Sequence, residues 1–465
     1  MIFLLSSFIL ILFSSLFIGS TFAVWLLSIA QLLLLARETF KGQVSGAGGF
    51  MFLSFTFFAV RPIYIILEND YSLLSDLFRV QVNLNQLTDS MWWATMASFA
   101  FAIGCFISPS FYKVFGISKK VQKEIASDTL LSTRQVKSLL ILQLLTLAVM
   151  IVLARAGRSL YGSALGAYIY DLPVPLQAVN IFSMVSLFDR YRKHRSTSDL
   201  VRFVLSSLLF LYFTWLMREV SVFRGFYVFG VMIGGIAILL RIKRKVGYLW
   251  LFIPILVLQP FFQTLGETRF LDNSTLKEES FIERTFGDQD WTRTYWDFYD
   301  SRGDINIFDT FVAAQLSKPS IRPYALSWIY PPFHIVPRAI WNEKPERGIL
   351  QDLDFMNGAP YSPGIAGFFL LDGGATWMLL SMLILGIVVA LLDSYSALML
   401  NGIFQSCVIA ILVVNGMFLT RTFLWFYFWQ VIYAVYPVYF ISQRLIKRSQ
   451  RAKSSRAIED QVRQV

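Results

Sequence analysis

Charge is scarce in this chain. Only 15% of its 465 residues are Asp, Glu, Lys or Arg, against about 25% in a soluble domain. With 56% hydrophobic residues and a mean hydropathy of +0.57, the shortfall excludes a soluble globular or disordered protein. Cysteine is scarcer still. Cys105 and Cys407 each lie in an apolar run, which excludes a disulfide scaffold. His194 and His334 are the only histidines, so a His-rich or His–Cys metal centre is excluded too. No glycine-rich phosphate loop, nucleophile elbow or zincin helix occurs. An ATPase or hydrolase of those kinds therefore finds no support.

Long apolar runs are abundant instead, with 44 Phe, 20 Tyr and 12 Trp. A helix spanning a bilayer needs about 20 mostly apolar residues. Residues 1–36 carry no charge at all. At about 1.5 Å per residue they are too long for one span, and Gly19-Ser20-Thr21 offers a turn. They divide into spans at 2–18 and 22–36. The first has no basic leader and a second run comes at once, so it is expected to stay as a span. Ten more lie at 48–67, 91–108, 138–154, 174–188, 203–217, 226–240, 247–264, 374–392, 397–418 and 422–442. The expected fold is an all-α polytopic membrane protein of about 12 transmembrane helices. Its parts are a membrane domain over 1–264, a large loop over 265–365, a second membrane portion over 366–442 and a basic tail over 443–465.

Lysine and arginine placement orients these spans. With the N-terminus inside, the inner segments hold 24 of the 41 Lys/Arg but only 8 of the 30 acids. The net charge of +11 is thereby explained by topology rather than by nucleic-acid binding. The tail from Arg444 to Arg463 is a solvated inner end suited to anionic lipid. No solenoid period or inverted transporter repeat is present.

The loop over 265–365 falls on the outer side and holds 8 of the 15 prolines and 17 aromatic residues. That composition can bury a core, which argues against disorder. Short helices are expected around 291–301 and 305–316, packed against the membrane surface. Chemistry is expected on this side.

Arginines are the first candidates. Arg61 lies in an apolar run beside Pro62. Arg155, Arg158, Arg218, Arg224 and Arg421 border outer connections. A guanidinium at depth faces a partner or a cavity, and its fork suits phosphate better than an ammonium does. Snorkelling or pairing with a carboxylate is the plainer reading for each one. Several on one side beside a large loop favour an anionic substrate. Asp288/Asp290 and Asp352/Asp354 have cation-binding spacing. However, 16 acids between 265 and 373 make such pairs expected by chance, so no metal is assigned. His334, in Tyr330-Pro331-Pro332-Phe333-His334, is a general-base candidate or a packing residue. Loop tryptophans and tyrosines can stack on sugar rings or anchor the loop.

Pro337-Arg338-Ala339-Ile340-Trp341-Asn342-Glu343-Lys344-Pro345 resembles the Pro-Arg-x-x-Trp-x-x-Lys-Pro segment of Wzy-type polysaccharide repeat-unit polymerases. Ser301-Arg302-Gly303, Phe308-Asp309-Thr310, Phe223-Arg224-Gly225, the stretch from Ser362 to Gly374, and Arg421 are similar to that family's pieces in the same order. Arg155 to Gly166 and Arg347 to Gly358 fit an Arg-x10-Gly pattern of some members, although Arg37 to Gly48 fits as well, on the inner side. Asn342 departs from the family, which often has Pro after the Trp. In motif the resemblance covers 301–374.

The resemblance implies a GT-C-like glycosyltransferase in a bacterial inner membrane, with its large loop and active face periplasmic. It would join undecaprenyl-pyrophosphate-linked repeat units into O-antigen or a related polysaccharide, without a cofactor. An acceptor hydroxyl would attack the anomeric carbon and lipid pyrophosphate would leave. Implied catalytic residues are Arg224, Arg338, Arg421 and His334. Implied substrate contacts are Arg155, Arg302, Asp309, Trp341, Lys344 and Arg347. Membrane lipid, a chain-length regulator and a flippase of the same pathway are the implied partners. An O-antigen ligase and a lipid-linked glycan flippase remain the alternatives.

Overall fold

The computed structural model describes residues 1–42, 44–73, 80–114, 131–156, 172–220, 225–242, 247, 307–316, 326–333, 362–398, 402–421 and 424–463. Apart from a two-residue antiparallel ladder of Ser72–Leu73 (β1) with Val80–Gln81 (β2), its regular elements are helical. The chain is an all-α polytopic membrane protein. Seven helical stretches are long and apolar enough to cross a bilayer: Thr21–Thr39, Gly46–Glu68, Leu84–Ser110, Thr133–Arg155, Thr197–Met217, Gly364–Ser396 and Gly402–Leu419. Helices Ile2–Ser14, Pro173–His194, Gly225–Ile242 and Leu424–Arg463 also fall on the expected intervals at 2–18, 174–188, 226–240 and 422–442. The interval 247–264 lies outside the described residues except for Gly247.

The first two helices, α1 (Ile2–Ser14) and α2 (Thr21–Thr39), form a hairpin. Gly19 turns the chain at φ 89°, and the Ser20 hydroxyl then accepts from the Ala23 N–H at 3.3 Å. The turn expected at Gly19-Ser20-Thr21 forms, and Ser20 serves as the N-cap of α2. Next comes a single rod of α3 (Gly46–Phe55), a π segment (Thr56–Val60) and α4 (Arg61–Glu68). Pro62 has no N–H to offer the carbonyl four residues back, and the widened turn accommodates that loss.

The long α5 (Leu84–Val114) packs along α12 (Gly364–Leu398). Gly104 and Gly386 let the two backbones touch. A Cβ on either would collide with the carbonyl of Leu383 or Phe101, the small-residue contact by which membrane helices approach. A second group comprises α6 (Thr133–Ala156), α7 (Pro173–His194), α8 (Thr197–Val220) and α9 (Gly225–Ile242). Between the groups lies α13 (Gly402–Leu419), packed on α3, α9, α12, α7 and the last helix. Ile141, Leu144, Leu145, Val149 and Val152 on α6 are exposed, as are Val201, Leu205, Leu208 and Trp215 on α8. Apolar faces this extensive need lipid.

The last helix, α14 (Leu424–Arg463), has 40 residues, about 60 Å. That is roughly twice the hydrocarbon thickness. The basic tail is thus helical to Arg463, as a stretch without Gly or Pro after Pro437 allows.

Among the described residues, three acids at the end expected to face the cytoplasm are paired with basic side chains. Asp189 receives Arg241 at 2.5 Å and Lys193 at 2.9 Å. Asp199 receives Arg190 at 3.0 Å and Arg202 at 2.9 Å. Glu38 receives Arg37 at 2.7 Å and Lys41 at 2.6 Å.

Candidate functional site

Two short helices come from the long stretch between the membrane portions: α10 (Ile307–Leu316) and α11 (Leu326–Phe333). The helix expected around 305–316 forms. It packs inside the helix assembly rather than lying across it. Eight of its ten residues are buried, and it lies against α12, α5 and the π segment. Its sequence accounts for this. Ile307, Phe308, Phe311, Val312, Ala313 and Ala314 give it apolar surface all round, the signature of a buried helix. Phe58 of the π segment meets Phe308 and Phe311 at ring-centroid distances of 6.4 and 5.8 Å.

One ion pair crosses this contact. Arg61 Nε donates to Asp309 Oδ1 at 3.0 Å, and Nη2 donates to Oδ2 at 2.7 Å. Both oxygens are engaged, the strong bidentate form. Arg61 is 5% exposed and Asp309 0%. The Tyr64 ring stands 5.6 Å from the Arg61 guanidinium carbon. The extra residue of the π turn rotates Arg61 by about 100° relative to a regular helix, which decides what it faces. At the other end of α10, Gln315 Nε2 donates to Asp89 Oδ2 of α5 at 2.7 Å.

Beside α10, α11 is fixed on two sides. The Ser327 N–H donates to Asp372 Oδ2 of α12 at 2.8 Å. Trp429 Nε1 of α14 donates to the Pro331 carbonyl at 2.7 Å. Trp328 stacks on Phe369 with 5.7 Å between centroids. Asp372 is fully buried and directly precedes a break in α12 at Gly373–Gly374. Gly364 opens that helix at φ 68°. A side chain there would collide with the Thr420 carbonyl and crowd Ile307. The Ile365 N–H donates to Thr420 O at 3.3 Å, and the Ser362 hydroxyl donates to Arg421 O at 2.5 Å. The start of α12 therefore ties the turn bearing Arg421 to the start of α10.

Asp309 and Arg421 thus flank a shared junction around Gly364. Asp309 points into the helix body and Arg421 is half-buried at its turn. Arg155 is exposed in the last turn of α6, a helix that packs on α7 and α8. Arg224, Arg302, His334, Arg338, Trp341, Lys344 and Arg347 lie outside the described residues, as do both Asp-x-Asp pairs and the expected helix around 291–301. Among the described residues, no group of three or more His, Cys, Asp or Glu side chains could hold a metal.

Sequence reasoning singles out Arg61 and Asp309 separately but does not join them. The available signal is the need of an arginine in an apolar run for a carboxylate. Asp372 escapes it, although Leu370-Leu371-Asp372-Gly373-Gly374 places an acid and two glycines in an apolar stretch.

Away from this junction, a cavity of about 30 Å³ lies between α7, α9, α13 and α14, with Gln177, Asn415 and Gln430 among apolar walls. It has room for a water or two.

Fold and site together define a polytopic α-helical membrane protein whose helices enclose elements of its longest inter-span stretch. No protein family, curated protein or solved structure matches this chain.

Proposed function

We propose that the chain is a polysaccharide repeat-unit polymerase. It would join lipid-pyrophosphate-linked oligosaccharide units at the outer face of a bacterial inner membrane. That reaction has three chemical needs. Cationic donors must meet the charge that grows on the departing pyrophosphate. A base must take the acceptor hydroxyl proton. The site must open to lipid.

The observation that carries the reading is the anchoring of α11. Pro337, which begins the Pro-Arg-x-x-Trp-x-x-Lys-Pro segment, comes four residues after Phe333. Four extended residues reach at most about 14 Å. That short length tethers the segment bearing Arg338 to a helix that Asp372 and Trp429 hold against α12 and α14. Arg421 stands just ahead of α14. An arginine-bearing segment tethered to the helix body suits a clamp on an anionic leaving group.

The test is reconstitution. Purified protein in proteoliposomes is given lipid-pyrophosphate-linked repeat units from its own host. A ladder rising by one repeat unit, with no lipid A core present, is expected. Absence of a ladder, with transfer appearing only when lipid A core is added, would make the protein a ligase. Movement of the lipid-linked unit between leaflets with no bond formed would make it a flippase.

A further inference from the structure

We propose that Arg61 is a positioning residue. Its fork to Asp309 sets the register of α10 in the helix assembly, and with it the placement of the outer catalytic segment. This deepens the polymerase reading and rests on it for its consequence.

Apolar burial alone does not fix α10. Phe308, Phe311, Val312, Ala313 and Ala314 point to several sides of the helix, and all are buried. A helix that is apolar all round loses little burial when it turns about its axis or shifts along it. Non-directional contacts give it a place but not a register, and the single bond from Gln315 to Asp89 holds only its far end. A bidentate guanidinium–carboxylate fork does, because both N–H···O distances, 3.0 and 2.7 Å, are lost together by a rotation of one residue. Buried ion pairs contribute little net stability. Their best-attested use is to specify one arrangement among several. The π segment just before Arg61 supports the same reading, since such bulges are frequent at functional sites.

The register matters because α10 leads to the arginine-bearing segment. Nine residues separate Leu316 from Leu326. Then comes α11, and four residues after it the segment holding Arg338. Asp309 is here a structural partner of Arg61 within the body.

Register and stability are read separately. The register is reported by Asp89→Cys with Gln315→Cys, the two half-buried positions facing each other at the far end of α10. They are joined in membranes by a short thiol-specific crosslinker. With Arg61 and Asp309 intact, efficient linkage is expected. Adding Arg61→Met and Asp309→Leu together removes both halves of the fork at once. Membrane levels should then hold, while linkage falls severalfold. In the chain with Asp89 and Gln315 restored, the same double replacement should cut polymer output at least tenfold. Single replacements, Arg61→Gln or Asp309→Asn, should lower linkage as well, and Arg61→Lys should restore part of it. Native linkage in the Met/Leu chain would overturn the proposal. So would native polymer in that chain. If linkage tracks the fork but no chain, native included, makes polymer, the register role stands and the polymerase reading falls.

Discussion

Asp393 caps a helix 346 positions away in sequence. Its Oδ1 accepts from the Gly46 N–H at 2.7 Å and its Oδ2 from the Ala47 N–H at 2.9 Å. The first turn of α3 begins inside the protein, where water cannot satisfy its donors. A carboxylate near the end of α12 takes that role. Asp393→Ala should therefore cost on the order of 2 kcal/mol, read as a lower melting temperature of the detergent-purified protein. Asp393→Asn keeps one acceptor and should lose about half as much. Ser45 also caps α3, accepting from the Gly48 N–H at 3.1 Å, so equal melting of all three proteins would show that the Ser45 cap suffices without Asp393.

Asp189 gives a pH dependence. It lies just past its expected span and is 2% exposed. Burial pushes its pKa up, but hydrogen bonds from Lys193 and Arg241 outweigh burial and hold it below the ordinary carboxylate value. Stability from a carboxyl with a depressed folded pKa is fully present above its unfolded value, about 3.9. It is lost as pH falls through the folded value. Melting temperature should thus drop as the buffer is taken from about pH 5 to below 3. Asp189→Asn should melt lower at neutral pH and show a shallower acid slope. Parallel slopes for the two proteins would contradict this linkage.

The membrane class is legible in the sequence because lipid imposes a long, one-dimensional pattern. Charge-free runs and their basic flanks need no tertiary information to be seen. The turn at Gly19-Ser20 is legible for a similar local reason. The candidate site is legible only in pieces. Arg61 and Asp309 stand 248 positions apart, and nothing in local pattern joins them. The interior position of α10 is hidden because an apolar stretch of ten residues is too short to tell a buried helix from a surface-lying one. The cap by Asp393 is hidden because its partners are backbone N–H groups, which every sequence carries.

Topology is the third prediction. An alkaline phosphatase fusion after residue 300 should be active, and fusions after 195 and 450 inactive, with the complementary result for a cytoplasmic fluorescent reporter. An inactive fusion at 300 would put α10 and α11 at the cytoplasmic end and overturn the proposed active face.

Polymerisation should not require a divalent cation. Asp288/Asp290 and Asp352/Asp354 are no denser than the acid content of their stretch predicts. Excess chelator in the reconstituted assay should leave the ladder intact. Loss of the ladder, with recovery on adding magnesium or manganese, would assign one of these pairs a cation.

The arginines carry the functional reading. If Arg224, Arg338 and Arg421 clamp the lipid pyrophosphate, both charge and fork geometry matter. Losing one contact that strengthens in the transition state costs roughly 3–4 kcal/mol, or about 10²–10³ in rate. Alanine at any of the three should abolish long polymer at normal membrane abundance, and cells should then display a single repeat unit on their lipid core. Arg155, Arg302 and Arg347 should show smaller losses. Arg→Lys should rescue only in part, because an ammonium cannot donate in parallel to two oxygens. Arg421 is the most informative of the set. Its carbonyl is already held by Ser362, so its turn is fixed by backbone bonds that survive truncation of the side chain. Loss of polymer in Arg421→Ala at full abundance would therefore report the guanidinium itself. Unchanged polymer in all three alanine variants would remove the clamp. Loss of the single capped unit as well would move the defect from polymerisation to flipping or ligation.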